Sequence, residues 1–143
     1  MTERIRYRAG YKYQLVNDYA TRVSIRPEHP IETEMFTLGV DGALWIRHGY
    51  AWDGPSGPTR DTPDFMRASL VHDALYQMMR EGYLGRHWRD EADRELRRIC
   101  LEDGMDMTRA EAVFIGVRFF GAGAIFGDGG KPLRDAPCKP PDG

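Results

Sequence analysis

The stretch TPDFMRASLVHDALYQMMR, residues 62–80, preceded by GPSGPTRD at 54–61, divides the chain into two kinds of sequence. Thr62 stands where an N-cap belongs, Pro63 takes the first helical position, and Asp64 favours the positive end of the helix. Phe65, Met66, Ser69, Val71, Ala74, Leu75, Met78 and Met79 then keep an apolar face running until Gly82 stops it. The segment therefore predicts an amphipathic helix. Gly54–Pro63 is too rich in glycine and proline for regular structure and reads as a loop inside one domain.

Upstream of that loop the pattern is β. Val23-Ser24-Ile25-Arg26 alternates until Pro27, and Met35–Val40 and Ala43–Ile46 flank Asp41-Gly42. Asp-Gly between two such runs predicts a two-residue hairpin turn, since both central positions need φ > 0. Downstream the pattern stays helical. A second helix is expected from Trp88 to Asp103, with Ala92, Leu96, Ile99 and Cys100 on one side and Gly104 as its stop. A third opens on Thr108-Arg109-Ala110-Glu111, the spacing of a capping box. Ala112, Val113, Ile115, Val117, Phe119 and Phe120 fill most of its circumference, which predicts a helix central in the core. The tail, residues 127–143, reads as extended. The fold class is α+β in a single domain over 1–143: a small N-terminal antiparallel sheet, then a three-helix portion.

Composition narrows the function. The chain has 143 residues, 41% hydrophobic and 29% charged, with a net charge of −2, which suits one globular domain. The small acidic excess argues against a dedicated nucleic-acid binder. Cys100 and Cys138 are too few for a disulfide framework, and reduced thiols are expected. The longest apolar run, Ala112–Phe126, is interrupted by Arg118 and falls short of the roughly 18 residues of a membrane span. The start MTERIRYRAGYKY has no apolar signal-peptide core. A soluble protein made inside the cell is the expectation.

The informative feature is Leu70-Val71-His72-Asp73-Ala74-Leu75-Tyr76. His72 and Tyr76 are four apart and share one helix face, with Asp73 on the flank. Asp93 is a matching polar residue on the second helix, beside Ala92 and one turn from Leu96. The short connection from Arg80 to His87 should set the two helices antiparallel, so that Asp93 reaches His72 and Tyr76. A carboxylate on one imidazole nitrogen leaves the other free as a base, and a tyrosine hydroxyl steadies the carboxylate. The glycines of the preceding loop can expose backbone oxygens, and Asp73 adds carboxylate oxygens, the donor type that calcium takes. The same His-Asp pair also serves as a structural hydrogen bond in many helices. His87, Trp88 and the arginines around them read as a solvated helix start.

Two resemblances are carried by these residues. GYAWDGPSGPTRDTPDFMRASLVHDALYQMMR followed by ADREL, within Gly49–Leu101, resembles a family of short phage and prophage proteins of unknown function with a Leu-x-His-Asp-x-Leu-Tyr motif. That likeness implies a phage origin, and a place in the bacterial host's cytoplasm or in a virion. More distantly, His72-Asp73-x-x-Tyr76 after a glycine loop is similar to the site of calcium-dependent phospholipases A2 of the parvoviral type. By that resemblance His72 activates water, Asp93 orients His72 and Tyr76 bonds Asp93. Asp73 would bind calcium with backbone oxygens of Trp52, Gly54 and Ser56, and Asp53 and Gly57 are possible additions. The implied partner is a phospholipid or membrane surface. Pro55 stiffens the loop relative to the phospholipase pattern, and the N-terminal sheet is outside it.

Two functions follow. One is a metal-dependent ester hydrolase using calcium; zinc on a cell-wall amide is a weaker variant, since the motif holds one histidine where zinc wants three close ligands. The other is a non-enzymatic virion or accessory protein that partners phage structural proteins and keeps the polar cluster as architecture.

Overall fold

A computed structural model of the chain describes residues 5, 7–8, 13–52 and 62–126. The described residues fall into two compact units, one of strands and one of helices, and the class is α+β. The strand unit contains β1 (Tyr7–Arg8), β2 (Tyr13–Leu15), β3 (Tyr19–Arg22), β4 (Ile31–Glu32), β5 (Phe36–Leu38), β6 (Ala43–Ile46) and β7 (Ala51–Trp52). These make two antiparallel sheets, ordered β1-β2-β7 and β3-β6-β5-β4. Alternation decides what is buried. Leu38, Leu44 and Ile46 lie inside while Ala43 faces out, and Phe36 meets Tyr50 edge-on with ring centroids 6.2 Å apart.

The hairpin forms where expected but with a different turn. Leu38 pairs with Leu44, the Gly39 amide donates to the Ala43 carbonyl at 2.9 Å, and the Gly42 amide donates to the Gly39 carbonyl at 3.0 Å. Val40, Asp41 and Gly42 thus form a three-residue connection with Gly42 at φ +89°, not the predicted two-residue turn on Asp41-Gly42. The carboxylate of Asp41 explains the preference, because its Oδ1 accepts the Ala43 amide at 3.1 Å.

The expected strand at Val23–Arg26 is displaced. Val23 and Ile25 are buried and Ser24 and Arg26 exposed, as the alternation requires, but the paired strand is β3, just upstream. Its register runs from Tyr19↔Ile46 to Arg22↔Ala43, where the partner strand ends at the Gly42 turn. Pairing, not alternation, set the boundary.

The helical unit contains α1 (Pro63–Arg80), a 3₁₀ turn (Arg86–Trp88), α2 (Arg89–Glu102) and α3 (Met107–Phe126). Gly82 and Gly104 follow the ends of α1 and α2, as their positions predicted. Helix α1 is the central one: every residue from Phe65 to Met79 except Asp73 is buried. It packs on α2 and α3, which also pack on each other. Buried Arg67 donates to Asp103 at 3.0 and 3.1 Å and to Glu102. The start of α1 therefore meets the end of α2, and the two helices run antiparallel. A guanidinium at that carboxyl end also complements the helix dipole.

Helix α3 departs from its sequence reading. It buries Ala110 and Val113, whereas Met107, Ile115 and Phe119 are exposed, Phe119 at 76%. The central position is taken by α1, which buries nearly its whole length, and α3 is left with part of its apolar surface exposed. Its cap also differs: the Arg109 amide bonds Asp106 Oδ2 at 3.2 Å, so Asp106 caps the helix in place of the predicted Thr108 box. Thr62 does precede α1 in extended conformation but does not cap it with its side chain; its hydroxyl bonds Asp64 and accepts from Arg109 Nη1 at 3.0 Å. No described helix is long and apolar enough to cross a membrane.

Candidate active site

The period of α1 places His72 and Tyr76 one turn apart, with ring centroids 4.1 Å apart. The antiparallel approach of α2 brings Asp93 against them. Asp93 is completely buried, and its Oδ1 accepts His72 Nε2 at 2.7 Å and the Tyr76 hydroxyl at 2.6 Å. The predicted three-residue constellation is therefore assembled. Asp73 is half-buried on α1 beside it.

Two arginines that the sequence reading did not include complete the cluster. Arg118 of α3 donates from Nη1 to Asp93 Oδ2 and from Nη2 to Asp90 Oδ1, both at 2.7 Å. Arg89 donates from Nε to the Tyr76 hydroxyl at 3.2 Å, and its Nη2 reaches the carbonyls of Val117 and Arg118 at 3.1 and 2.7 Å. Arg89 is thus built into the site, contrary to the reading of a solvated helix start. The available signals were a lone charge in the apolar run Ala112–Phe126, which must find a partner, and a basic residue one turn before Asp93.

Burial alone would raise the Asp93 pKa, but the hydrogen bonds from His72, Tyr76 and Arg118 outweigh it and hold the group below its ordinary 3.8. Burial, and then the neighbouring carboxylate, raise the Tyr76 phenol above its usual value, so it stays a donor. An ionised carboxylate only accepts, which assigns a proton to His72 Nε2 and makes Nδ1 the nitrogen that carries the lone pair in a neutral ring. Chemically, a histidine held in this way can act as a base with a fixed tautomer.

Among the described residues no three or more His, Cys, Asp or Glu side chains are grouped to hold a metal ion. Asp73 has the oxygen chemistry that a hard cation takes. Trp52 lies in β7 of the strand unit, opposite Tyr13 and 2% exposed. Asp53, Gly54, Ser56 and Gly57, expected around calcium, lie outside the described residues, as do the rest of that loop up to Asp61 and the tail. Cys100 is buried, which pushes its thiol pKa up to about 12 and keeps it unreactive.

Gly121 of α3 passes close over the cluster. A Cβ there would lie 2.5 Å from the Tyr76 hydroxyl oxygen. Gly121→Ala is expected to cost about 1–3 kcal/mol, by moving Tyr76 off Asp93 or lifting α3. Adding Tyr76→Phe removes the colliding oxygen, so urea melts of the double mutant should recover part of the loss.

No family model, no curated protein and no solved structure matches this chain.

Proposed function

We propose that the helical unit carries a phospholipase A2-like ester hydrolase site, in a protein of phage origin, with His72 as general base. The observation that carries this reading is the bond from His72 Nε2 to fully buried Asp93, which leaves Nδ1 as the nitrogen able to take a proton. In the first step Nδ1 removes a proton from water as its oxygen attacks the ester carbonyl. Asp93, held by Tyr76, stabilises the imidazolium so formed. Nδ1–H then returns the proton to the leaving alcohol as the ester C–O bond breaks. Calcium, when bound, would polarise the ester carbonyl, with Asp73 as its carboxylate ligand. The substrate in this reading is a phospholipid at a membrane surface.

A second reading is favoured by how completely Asp93 is satisfied. Donors from α1 and α3 converge on this carboxylate of α2, as in a network that fixes packing. The protein would then be a virion or accessory component that binds phage structural proteins.

The readings separate in two measurements. Calorimetric titration with calcium should show saturable binding that disappears in Asp73→Asn. Fatty-acid release from phosphatidylglycerol vesicles should fall about 10²–10⁴-fold in His72→Gln with the melting temperature nearly unchanged. Silence up to millimolar calcium, no fatty-acid release by the wild type, and a lowered melting temperature in His72→Gln would reject the hydrolase and leave the architectural reading.

A further inference from the structure

We infer that Arg118 is a positioning residue for the His72–Asp93 pair, holding the carboxylate from the α3 side so that Oδ1 stays aimed at Nε2–H. The role of the pair as a catalytic dyad rests on the hydrolase reading; the positioning itself does not. Asp93 is gripped from opposite directions. Oδ1 takes both bonds from α1, and Oδ2 takes its short bond from Arg118, while the other cation near it, Arg89 Nε, stands 3.9 Å away.

Rotation of a carboxylate about its terminal bond is soft, with broad and roughly two-fold preference. A donor on Oδ1 alone leaves that rotation open; donors on both oxygens stop it. Removing Arg118 would leave Oδ2 buried with Arg89 as its nearest cation. The carboxylate would turn towards Arg89, away from the line to His72.

Arg118 is itself fixed. Its second nitrogen is held by Asp90, three residues before Asp93 on α2, and a planar fork spanning two carboxylates has little freedom left. The backbone carrying it is tied to α2 by Arg89 through the Val117 and Arg118 carbonyls. Ile115 and Phe119, on either side of Arg118, are exposed and do not anchor this part of α3. Among the described links from α3, the Arg118 guanidinium is the one that hydrogen-bonds the pair.

The charged and titratable groups facing Asp93 are His72 and Tyr76 from α1, Arg89 from α2 and Arg118 from α3, with Asp90 behind Arg118. Arg118 thus transmits the position of α3 to the histidine without touching a reacting atom.

The test uses the full chain with Arg118→Ala. In the wild type the His72 Nε2–H proton should give a protected downfield NMR resonance. In Arg118→Ala its exchange with solvent should be at least about tenfold faster, and methylguanidinium should restore protection by refilling the space. In vesicle hydrolysis kcat should fall about 10- to 100-fold with KM nearly unchanged. If Arg118→Ala does not fold, Asp90→Asn, at an exposed position, releases the other half of the fork and should shift the same resonance in the same direction. A folded Arg118→Ala, or Asp90→Asn in its place, with an unchanged Nε2–H signal overturns the inference. No vesicle hydrolysis by the wild type, with the signal still responding to Arg118, rejects the hydrolase reading and leaves the positioning role standing.

Discussion

Asp93→Ala is expected to lower the unfolding free energy by about 3–5 kcal/mol, because it strands several buried donors at once. His72 Nε2–H and the Tyr76 hydroxyl lose their acceptor on one side, and Arg118 loses one of its two carboxylates on the other. The cavity adds to this, since nothing nearby can collapse into a polar pocket held by three helices. Asp93→Asn keeps the volume but turns an amide N–H towards another donor, so it should be costly as well, though less so. Urea denaturation at neutral pH measures both.

Acid should act on the same residue. Asp93 has a folded pKa below its ordinary 3.8, so its stabilisation is complete above that value and is lost as the pH falls through the lower folded one. Stability of the wild type should therefore drop as the pH falls below about 4, and the drop should be shallower in Asp93→Asn. An equal acid slope in both proteins would show that other carboxylates carry the transition.

Gly42→Ala should cost about 3 kcal/mol or more in the strand unit. Gly42 has φ +89°, and a Cβ there would sit 2.2 Å from the Val23 carbonyl oxygen. That carbonyl cannot simply move away, because the Val23 amide is bonded to the Gly42 carbonyl at 2.9 Å. Asparagine tolerates the left-handed region better than alanine but carries the same Cβ. Gly42→Asn should therefore be nearly as damaging, whereas a cost from φ alone would make it clearly milder. Unfolding followed by the fluorescence of Trp45 and Trp52 distinguishes the two.

Much of the candidate site was legible because its information is local. His72 and Tyr76 four apart in an apolar stretch, and a second polar residue on the facing side of a helix joined by a short connection, define a cluster without long-range knowledge. Arg118 was not legible as a member, since it lies 25 residues from Asp93 and nothing periodic links them. Arg89 was misread for a related reason: a charge at a helix start is usually solvated, and only the approach of α3 gives it carbonyls to bind.

The sequence by itself determined the kind and approximate limits of the helices, the hairpin's location and the pairing of His72 with Asp93. Proline, glycine and apolar spacing act within a turn or two of chain, and those effects survive whatever the rest of the molecule does. Only the tertiary structure decided which helix is central, which strand pairs with β6 and which cations hold Asp93. Each of these is a competition among distant segments for the same buried surface or the same hydrogen bonds. α1 took the centre because it could bury nearly its whole length, and α3, displaced outward, brought Arg118 to the carboxylate.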